Sequence, residues 1–149
     1  MEAQIIILPA FKEHEQAVYG LMCELEGAKL HRQGFADVYA KNLQNKDIRY
    51  FAALRDGKVI GFSSLHMQRL LHHAALIGEI QEIVVSESCR GQGIGQRLFH
   101  EMKTAALDHG CAQMEVCCRK ERTLSHRFYQ KMGMVLSHDK LCMKLAEGE

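Results

Sequence analysis

Strand-like and helix-like stretches alternate along the whole chain. Short apolar or alternating runs predict strands, whereas apolar residues spaced three or four apart predict helices. The first half is predicted to contain a strand over 5–8, helices over 13–29 and 35–43, and strands over 49–54, 58–66 and 76–85. The second half is predicted to contain a helix over 96–109, a strand over 114–117, a helix around Tyr129, and closing strands over 134–137 and 140–145. Asp56-Gly57 joins the second and third strands and is typical of a tight hairpin turn.

The bulk composition is typical of one globular domain over residues 1–149. The chain is 47% apolar and 25% charged, with a formal net charge of +1. No block of Lys and Arg stands out, which argues against nucleic-acid binding as the main role. No apolar run approaches the ~20 residues that a membrane span requires, and no secretory signal peptide is recognised, so no membrane partner is expected.

The six cysteines show no paired C-x-x-C spacing, and two of them are adjacent. They are interpreted as unbridged thiols in a reducing compartment, which predicts a cytoplasmic location. Each one is more typical of a core residue than of a nucleophile.

Three glycines within five positions, Gly91, Gly93 and Gly95, follow a predicted strand and open a predicted helix. Such a turn lets backbone N–H groups approach a ligand, and the start of a helix adds free donors. Arg90 at its mouth can add a charge-assisted contact to a phosphate oxygen. A dinucleotide fingerprint is excluded because Gln96 stands where its third glycine belongs, and no Gly-Lys-Ser/Thr of a P-loop follows. We therefore predict a pyrophosphate-binding turn.

The pattern Arg-x-x-Gly-x-Gly after a strand resembles the coenzyme A loop of the GNAT superfamily of N-acetyltransferases. The stretch from Ser125 to Met134 is similar to a later signature of that superfamily, a Phe-Tyr pair ahead of a glycine turn. One departure is Cys117-Cys118-Arg119, in a region where many members carry an asparagine. The resemblance implies a mixed α/β fold, with a central, mostly antiparallel twisted sheet flanked by helices and with its fourth and fifth strands splayed apart.

The resemblance also implies acetyl-CoA as the cosubstrate. Backbone N–H groups near Val84 and Val85 would then polarise the acetyl carbonyl, as oxyanion donors do. The implied cofactor-binding residues are Ile83, Val84, Val85, Arg90, Gly91, Gln92, Gly93, Ile94, Gly95, Gln96, Ser125 and Phe128.

Acetyl transfer to an amine requires a base for the amine and an acid for the departing thiolate. The resemblance implies that Tyr129 is the acid, and a phenol suits this task because it is neutral at pH 7. Two carboxylates, Glu79 and Glu82, are candidates for the base. Regular alternation would put them on opposite faces of a strand, although the superfamily often has a bulge here. By resemblance Glu79 is preferred and Glu82 is the alternative.

A narrower resemblance concerns the acceptor. The stretches 65–68, 71–73 and 77–82, together with Ile48-Arg49-Tyr50, closely resemble the aminoalkylphosphonate N-acetyltransferases of bacterial phosphonate metabolism. This implies a small aminoalkylphosphonate as the acceptor and an association with a divalent metal. The candidate substrate residues are Arg49, Tyr50, His66 and His73, with Arg69 as a further cation. His66, His72 and His73 are the candidate metal ligands, because imidazole is a common one; the alternative is that they are surface histidines without a metal.

Two other functions stay open. An aminoglycoside or polyamine acceptor would require a carboxylate-rich pocket, for which Asp37 and Asp47 alone make no acidic cluster. A non-catalytic acetyl-CoA-binding regulator on the same fold is the other alternative, and the presence of both Glu79 and Tyr129 argues against it. A homodimer is expected by analogy with related enzymes.

Overall fold

The computed structural model describes residues 4–146. The chain divides into two compact units, Met1–Val116 and Cys117–Glu149. The first unit contains β1 (Ile5–Pro9), α1 (Glu15–Glu26), α2 (Arg32–Leu43), β2 (Ile48–Arg55), β3 (Lys58–Leu70), β4 (Ala75–Val85), α3 (Ile94–Asp108) and β5 (Gln113–Val116). The second contains α4 (Thr123–Lys131). None of the helices within residues 4–146 has the length and apolar composition of a membrane span.

The five strands form one sheet in the order β1-β2-β3-β4-β5. All neighbouring strands are antiparallel except β4 and β5, which are parallel. The predicted mixed α/β class and mostly antiparallel sheet are therefore confirmed. The ladder between β4 and β5 covers only Ile77–Ile80 of β4. Residues 81–85 consequently have no partner strand on that side within residues 4–116.

Helices cover both faces of the sheet. One face packs against α1 and α2 through a core that includes Val18, Met22, Tyr39, Phe62 and Val84. On the other face α3 approaches the backbone of β3 closely. A Cβ added at Gly61 would lie 3.2 Å from Leu98 and 3.3 Å from Ile94, both on α3. The lack of a side chain at Gly61 is thus what allows this helix to lie so near the sheet.

The predicted hairpin at Asp56-Gly57 is confirmed, since both residues have a positive φ, 51° and 74°. Such angles match the twist of the flanking strands. The strand after the turn is longer than predicted, because β3 continues beyond His66 and its residues 67–70 pair with residues 75–78 of β4.

The closing strands predicted over 134–137 and 140–145 are wrong, because neither segment contains a strand. Except for the half-buried Met134, their large apolar side chains are more than 70% exposed, among them Val135 at 85% and Leu141 at 96%. Apolar alternation forms a strand only where a neighbour offers backbone partners and a face to bury. Within residues 117–146 no strand is present to supply either.

Candidate active site

The glycine turn between β4 and α3 has the geometry of an anion site. Gly91 and Gly93 have φ angles of 80° and 76°, a region that favours glycine. The first backbone hydrogen bond of α3 runs from the Arg97 N–H to the Gly93 carbonyl, at 3.1 Å. The N–H groups of Ile94, Gly95 and Gln96 therefore have no acceptor in the helix and are available to an anion.

A carboxylate of α1 anchors this turn. Glu24 accepts a hydrogen bond from the Glu87 N–H at 2.9 Å, and its Oε1 lies 4.0 Å from Nη2 of Arg90. The Arg90 Nε–H also donates to the Val85 carbonyl, at 3.4 Å. The Arg90 side chain remains 59% exposed, so its guanidinium is accessible to a ligand at the turn.

A second arginine holds the turn from the side of β2. Arg55 donates from Nη2 to the side-chain oxygen of Gln92, and its Nη1 lies 3.8 Å from the Cys89 sulfur. Positive charge is thus present on two sides of the glycine turn, from Arg55 and Arg90.

A bulge in β4 brings the two candidate bases to one face. Ser64 pairs with Glu82, whereas the next residue of β3, Leu65, pairs with Ile80. Gln81 is therefore an extra residue without a partner, which reverses the alternation of β4 at that point. Glu79 and Glu82 consequently both lie on the face covered by α1 and α2. The regular-strand expectation of opposite faces is wrong, and the bulge is present.

Glu82 is held by a buried serine. Ser64, which is completely buried, donates from its hydroxyl to the Glu82 carboxylate and accepts a hydrogen bond from the Glu82 N–H at 3.1 Å. One oxygen of Glu82 is thus already engaged. The Glu79 carboxylate accepts a hydrogen bond from the Gln81 side chain, which is exposed.

His66 lies beside both carboxylates. It is the cross-strand partner of Glu79. Burial lowers the pKa of His66, while the negative charges of Glu82 and Glu79 oppose that shift. A lowered pKa keeps the imidazole neutral at pH 7, so it can accept a proton.

The candidate substrate residues Tyr50 and Arg49 point to opposite faces of β2, although both line the same open cavity at the start of that strand. Tyr50 is the cross-strand partner of Ser64 and therefore lies on the same face as Glu82. Arg49 pairs with Leu65 on the face of α3, where its Nη2 lies 3.3 Å from the ring of His109. The structure therefore groups Tyr50, but not Arg49, with the candidate base. Arg69 lies 4.0 Å from Asp47 and is mostly exposed.

The candidate histidines are not arranged to hold a divalent metal ion. His72 and His73 lie in a short turn after β3, with ring centroids 4.4 Å apart, and His73 lies 3.7 Å from Glu115 of β5. His66 is on β3 itself. Within residues 4–146 no three His, Cys, Asp or Glu side chains are grouped to hold a metal ion. The metal site expected at His66, His72 and His73 is therefore not formed by these side chains.

The free edge of β4 carries backbone donors next to Glu82. Two N–H groups of this segment point to β3. The Glu82 N–H donates to the Ser64 hydroxyl, and the Ser86 N–H donates to the Ile60 carbonyl. Because successive N–H groups of a strand alternate sides, those of Ile83 and Val85 point to the unpaired edge. The Val84 N–H points to β3, so Ile83 and Val85 are the backbone donors available there.

The second unit carries the remaining candidates on α4. Tyr129 is buried, and its burial, together with nearby Cys118, raises its pKa to about 12. Its ring contacts that of Phe128 edge-on, with centroids 5.2 Å apart. Ser125 lies one turn earlier on the same helix. The phenol of Tyr129 is thus protonated at neutral pH and can donate a proton.

Sequence reasoning missed Glu24, Arg55, Ser64 and Asn42. Glu24 and Arg55 act on a turn that lies far from them in sequence, and Ser64 contacts Glu82 only through strand pairing. A serine in the middle of an otherwise apolar strand run was the one available signal, because buried hydroxyl groups need a partner.

The chain is similar to known acetyltransferases over most of its length. Residues 11–134 match the model of the Acetyltransferase (GNAT) family. The chain is 43% identical over 129 residues to aminoalkylphosphonate N-acetyltransferase of Salmonella typhimurium, covering 87% of this chain and 84% of the relative. It is 30% identical over 78 residues to glucosamine 6-phosphate N-acetyltransferase of Trypanosoma brucei brucei, covering 52% of this chain and 51% of that protein.

A solved structure agrees with this similarity. The aminoglycoside N-acetyltransferase AAC(6')-Iy in complex with CoA matches 97% of this chain and 96% of its own, with a TM-score of 0.88 and 20% identity. At that identity the match shows the fold alone. The family match covers strands β2 to β5, the glycine turn and α4, and it confirms the predictions of fold class and N-acetyltransferase activity. The chain belongs to the GNAT family of acetyltransferases.

Proposed function

We propose that this N-acetyltransferase transfers the acetyl group of acetyl-CoA to the primary amine of a small aminoalkylphosphonate. The observation that carries the reaction is the bulge at Gln81, which puts Glu79 and Glu82 on one face beside the free edge of β4. The acceptor is supported by the 43% identity to a relative named for aminoalkylphosphonates. A second relative is named for glucosamine 6-phosphate, which also carries an amine and an anionic phosphorus group.

The cosubstrate pyrophosphate would bind at the glycine turn. The free N–H groups at the start of α3 and the exposed Arg90 support this role. Ser125 and Phe128 remain proposed contacts to acetyl-CoA from the second unit. The family match over residues 11–134 is compatible with one acetyltransferase domain over residues 1–149, which is kept as part of this proposal.

Glu79 is proposed as the base that takes the proton from the acceptor ammonium. Its partner Gln81 is exposed, whereas Glu82 is bound by a buried hydroxyl. Deprotonation leaves a neutral amine that attacks the acetyl carbonyl. Glu82 is the alternative base, and neutral His66 lies near enough to either carboxylate to take part in the proton transfer.

One of the two edge N–H groups, that of Ile83 or that of Val85, is proposed to stabilise the oxyanion that forms on the acetyl carbonyl, because the two lie about 7 Å apart along the strand. As the tetrahedral intermediate collapses, the C–S bond breaks and the thiolate of coenzyme A leaves. Tyr129 is proposed to protonate that thiolate. The phenol keeps its proton at neutral pH, as the role requires, although burial, which raises its pKa to about 12, makes it a weaker acid than an exposed tyrosine.

For the acceptor, Tyr50, His66 and His73 stay candidates, and Arg49 is a weaker one because it lies on the opposite face of the sheet. No step is proposed through a divalent metal. A homodimer remains a proposal by analogy with related enzymes.

The test is acetylation of a panel of amines by the purified chain with acetyl-CoA, read by mass spectrometry with and without chelator. The panel contains 1-aminoethylphosphonate, 2-aminoethylphosphonate, spermidine and kanamycin. An acetylated phosphonate is the expected product. Acetylation of spermidine or kanamycin alone would overturn the acceptor and favour the alternative enzyme. Binding of acetyl-CoA without any product would favour the regulatory alternative.

A further inference from the structure

An open cavity of about 470 Å³ lies between the end of β1, the last turn of α2 and the start of β2. Its cationic lining residues are Lys12, Lys46 and Arg49, and no aspartate or glutamate of residues 4–146 lines it. Asp47, although next to Lys46 in sequence, is not a lining residue, and its carboxylate lies 4.0 Å from Arg69. The cavity therefore has an uncompensated positive charge.

Two of the three cations are available to a ligand. The guanidinium of Arg49 is already engaged, because its Nη1 donates to the carbonyls of Lys46 at 2.6 Å and Ile48 at 3.1 Å. Lys12 and Lys46 are exposed, and neither forms an ion pair with a carboxylate within residues 4–146. Their ammonium groups supply both the charge and the donors for an anion.

The cavity also contains an oriented hydroxyl donor. Asn42 donates from Nδ2 to the Tyr50 hydroxyl at 2.6 Å, and both residues line the cavity. Since the Tyr50 oxygen acts there as an acceptor, its own proton is left for another group. Burial, the largest cause, raises the pKa of Tyr50, so the phenol keeps that proton at neutral pH.

Tyr50 connects the cavity to the candidate bases. Tyr50, Ser64 and Glu82 are successive cross-strand partners on β2, β3 and β4. Two interstrand spacings separate the backbones of Tyr50 and Glu82 by about 10 Å. Besides burial, the negative charge of Glu82 contributes to the raised pKa of Tyr50, so Tyr50 is the cavity residue that lies within electrostatic range of a candidate base, although Glu82 itself does not line the cavity.

We infer that this cavity binds the anionic group of the acceptor, a phosphonate or a phosphate monoester, through Lys12, Lys46 and the Asn42-oriented Tyr50. The inference rests on the proposed function, because it places the amine of the same acceptor toward Glu79 and Glu82. It also predicts discrimination against polyamines and aminoglycosides, whose positive charges a cavity with two unpaired lysines would repel.

The test compares wild type with the double variant Lys12→Met/Lys46→Met. Acetylation of 2-aminoethylphosphonate is measured for each protein. Acetylation of propylamine, a primary amine that lacks the phosphonate, is measured in the same way. The double variant is expected to lose about tenfold or more in kcat/KM for the phosphonate, as befits the loss of two charge-assisted contacts. Its kcat/KM for propylamine is expected to stay unchanged. Lys41→Met, at an exposed α2 lysine that does not line the cavity, is the matched control and should change neither value.

A binding measurement keeps the two proposals distinguishable. Methylphosphonate, which has no amine, is titrated into wild type and the double variant by calorimetry, and acetyl-CoA affinity verifies that the variant is folded. If wild type binds methylphosphonate and the double variant does not, the cavity assignment is supported. This holds even if wild type acetylates no amine, because the lack of acetylation would overturn only the proposed function. Unchanged phosphonate selectivity together with unchanged methylphosphonate binding would overturn the cavity and leave the transferase function standing.

Discussion

The Ser64 hydroxyl forms two hydrogen bonds with Glu82: it donates to the carboxylate and accepts from the backbone N–H. The pair lies beside the bulge, where the pairing of β3 with β4 shifts by one residue. One serine thus contacts the backbone next to the bulge and fixes the direction of a candidate catalytic carboxylate.

Ser64→Ala is expected to cost about 1–3 kcal/mol of unfolding free energy, because it removes the two hydrogen bonds that this completely buried hydroxyl forms with Glu82. Urea unfolding measures this. The adjacent Ser63 is the matched control, since it is equally buried but its hydroxyl has no hydrogen-bond partner. Ser63→Ala should leave stability unchanged or raise it by up to about 1 kcal/mol. Equal losses in the two variants would contradict this role of Ser64.

Glu79→Gln is expected to lower kcat/KM at neutral pH by about 10²-fold, because the acceptor ammonium loses its base. The limb of the pH–rate profile that rises toward alkaline pH should shift to higher pH, since only the fraction of amine already neutral can react. Glu82→Gln serves as the comparison and should leave that limb in place. If the limb shifts in Glu82→Gln instead, the two carboxylates have the opposite roles.

Tyr129→Phe is expected to lower kcat by about 10²-fold or more while the Kd of acetyl-CoA stays the same, because only proton donation is removed. Because its pKa is raised to about 12, the wild-type phenol should cause no loss of rate up to about pH 10, the ordinary pKa of tyrosine. Stopped-flow turnover and equilibrium titration separate the two constants. A variant with wild-type kcat would exclude Tyr129 from the chemistry.

Gly93→Ala is expected to weaken acetyl-CoA binding by roughly tenfold, because a left-handed φ of 76° costs an alanine about 1–2 kcal/mol. The effect would come from backbone strain alone, since an added Cβ meets no atom within 4 Å. Gly20→Ala in α1 also meets nothing within 4 Å but has no such φ. It should stabilise the chain by about 0.5–1 kcal/mol and leave acetyl-CoA binding unchanged. A similar loss of binding in both variants would argue against the glycine turn as the cofactor site.

His66 is expected to make the folded chain less stable in acid. Burial lowers its pKa in the folded state, whereas the unfolded chain keeps a value of about 6.5. As the pH falls through 6.5, the unfolded chain takes up a proton that the folded chain does not. The contribution of neutral His66 to the unfolding free energy is therefore complete above that pH and is lost below it. His66→Gln should therefore reduce the decrease in unfolding free energy between about pH 7 and 5.5. The same substitution at exposed His100 is the control, and an equal change there would contradict the assignment.

Local sequence signals predicted the elements that depend on local chemistry. The Asp56-Gly57 hairpin and the glycine turn were both recognisable because positive φ angles require particular residues. The helix of Tyr129 was recognisable from its spacing and its terminal glycine. The catalytic candidates on β4 and α4 therefore came from short stretches that carry their own structural signature.

Relationships between distant residues could not be predicted in the same way. The bulge at Gln81 depends on which residue of β3 faces which residue of β4, and the side-chain alternation of one strand does not contain that register. The contact of Glu24 with the glycine turn spans 63 positions. The failure of the predicted closing strands has the same origin, because a strand is defined by its neighbour as much as by its own residues.

The unpaired Gln81 makes β4 respond differently to the loss and to the gain of a residue. Deleting Gln81 would restore a regular strand in which Glu79 and Glu82 stand two positions apart, still on one face, with the pairing toward the glycine turn unchanged. Inserting a residue between the two carboxylates would instead enlarge the bulge or shift the pairing of everything toward the glycine turn. Insertions among natural sequences of this type should therefore be concentrated in the loops and be rare between positions 79 and 85.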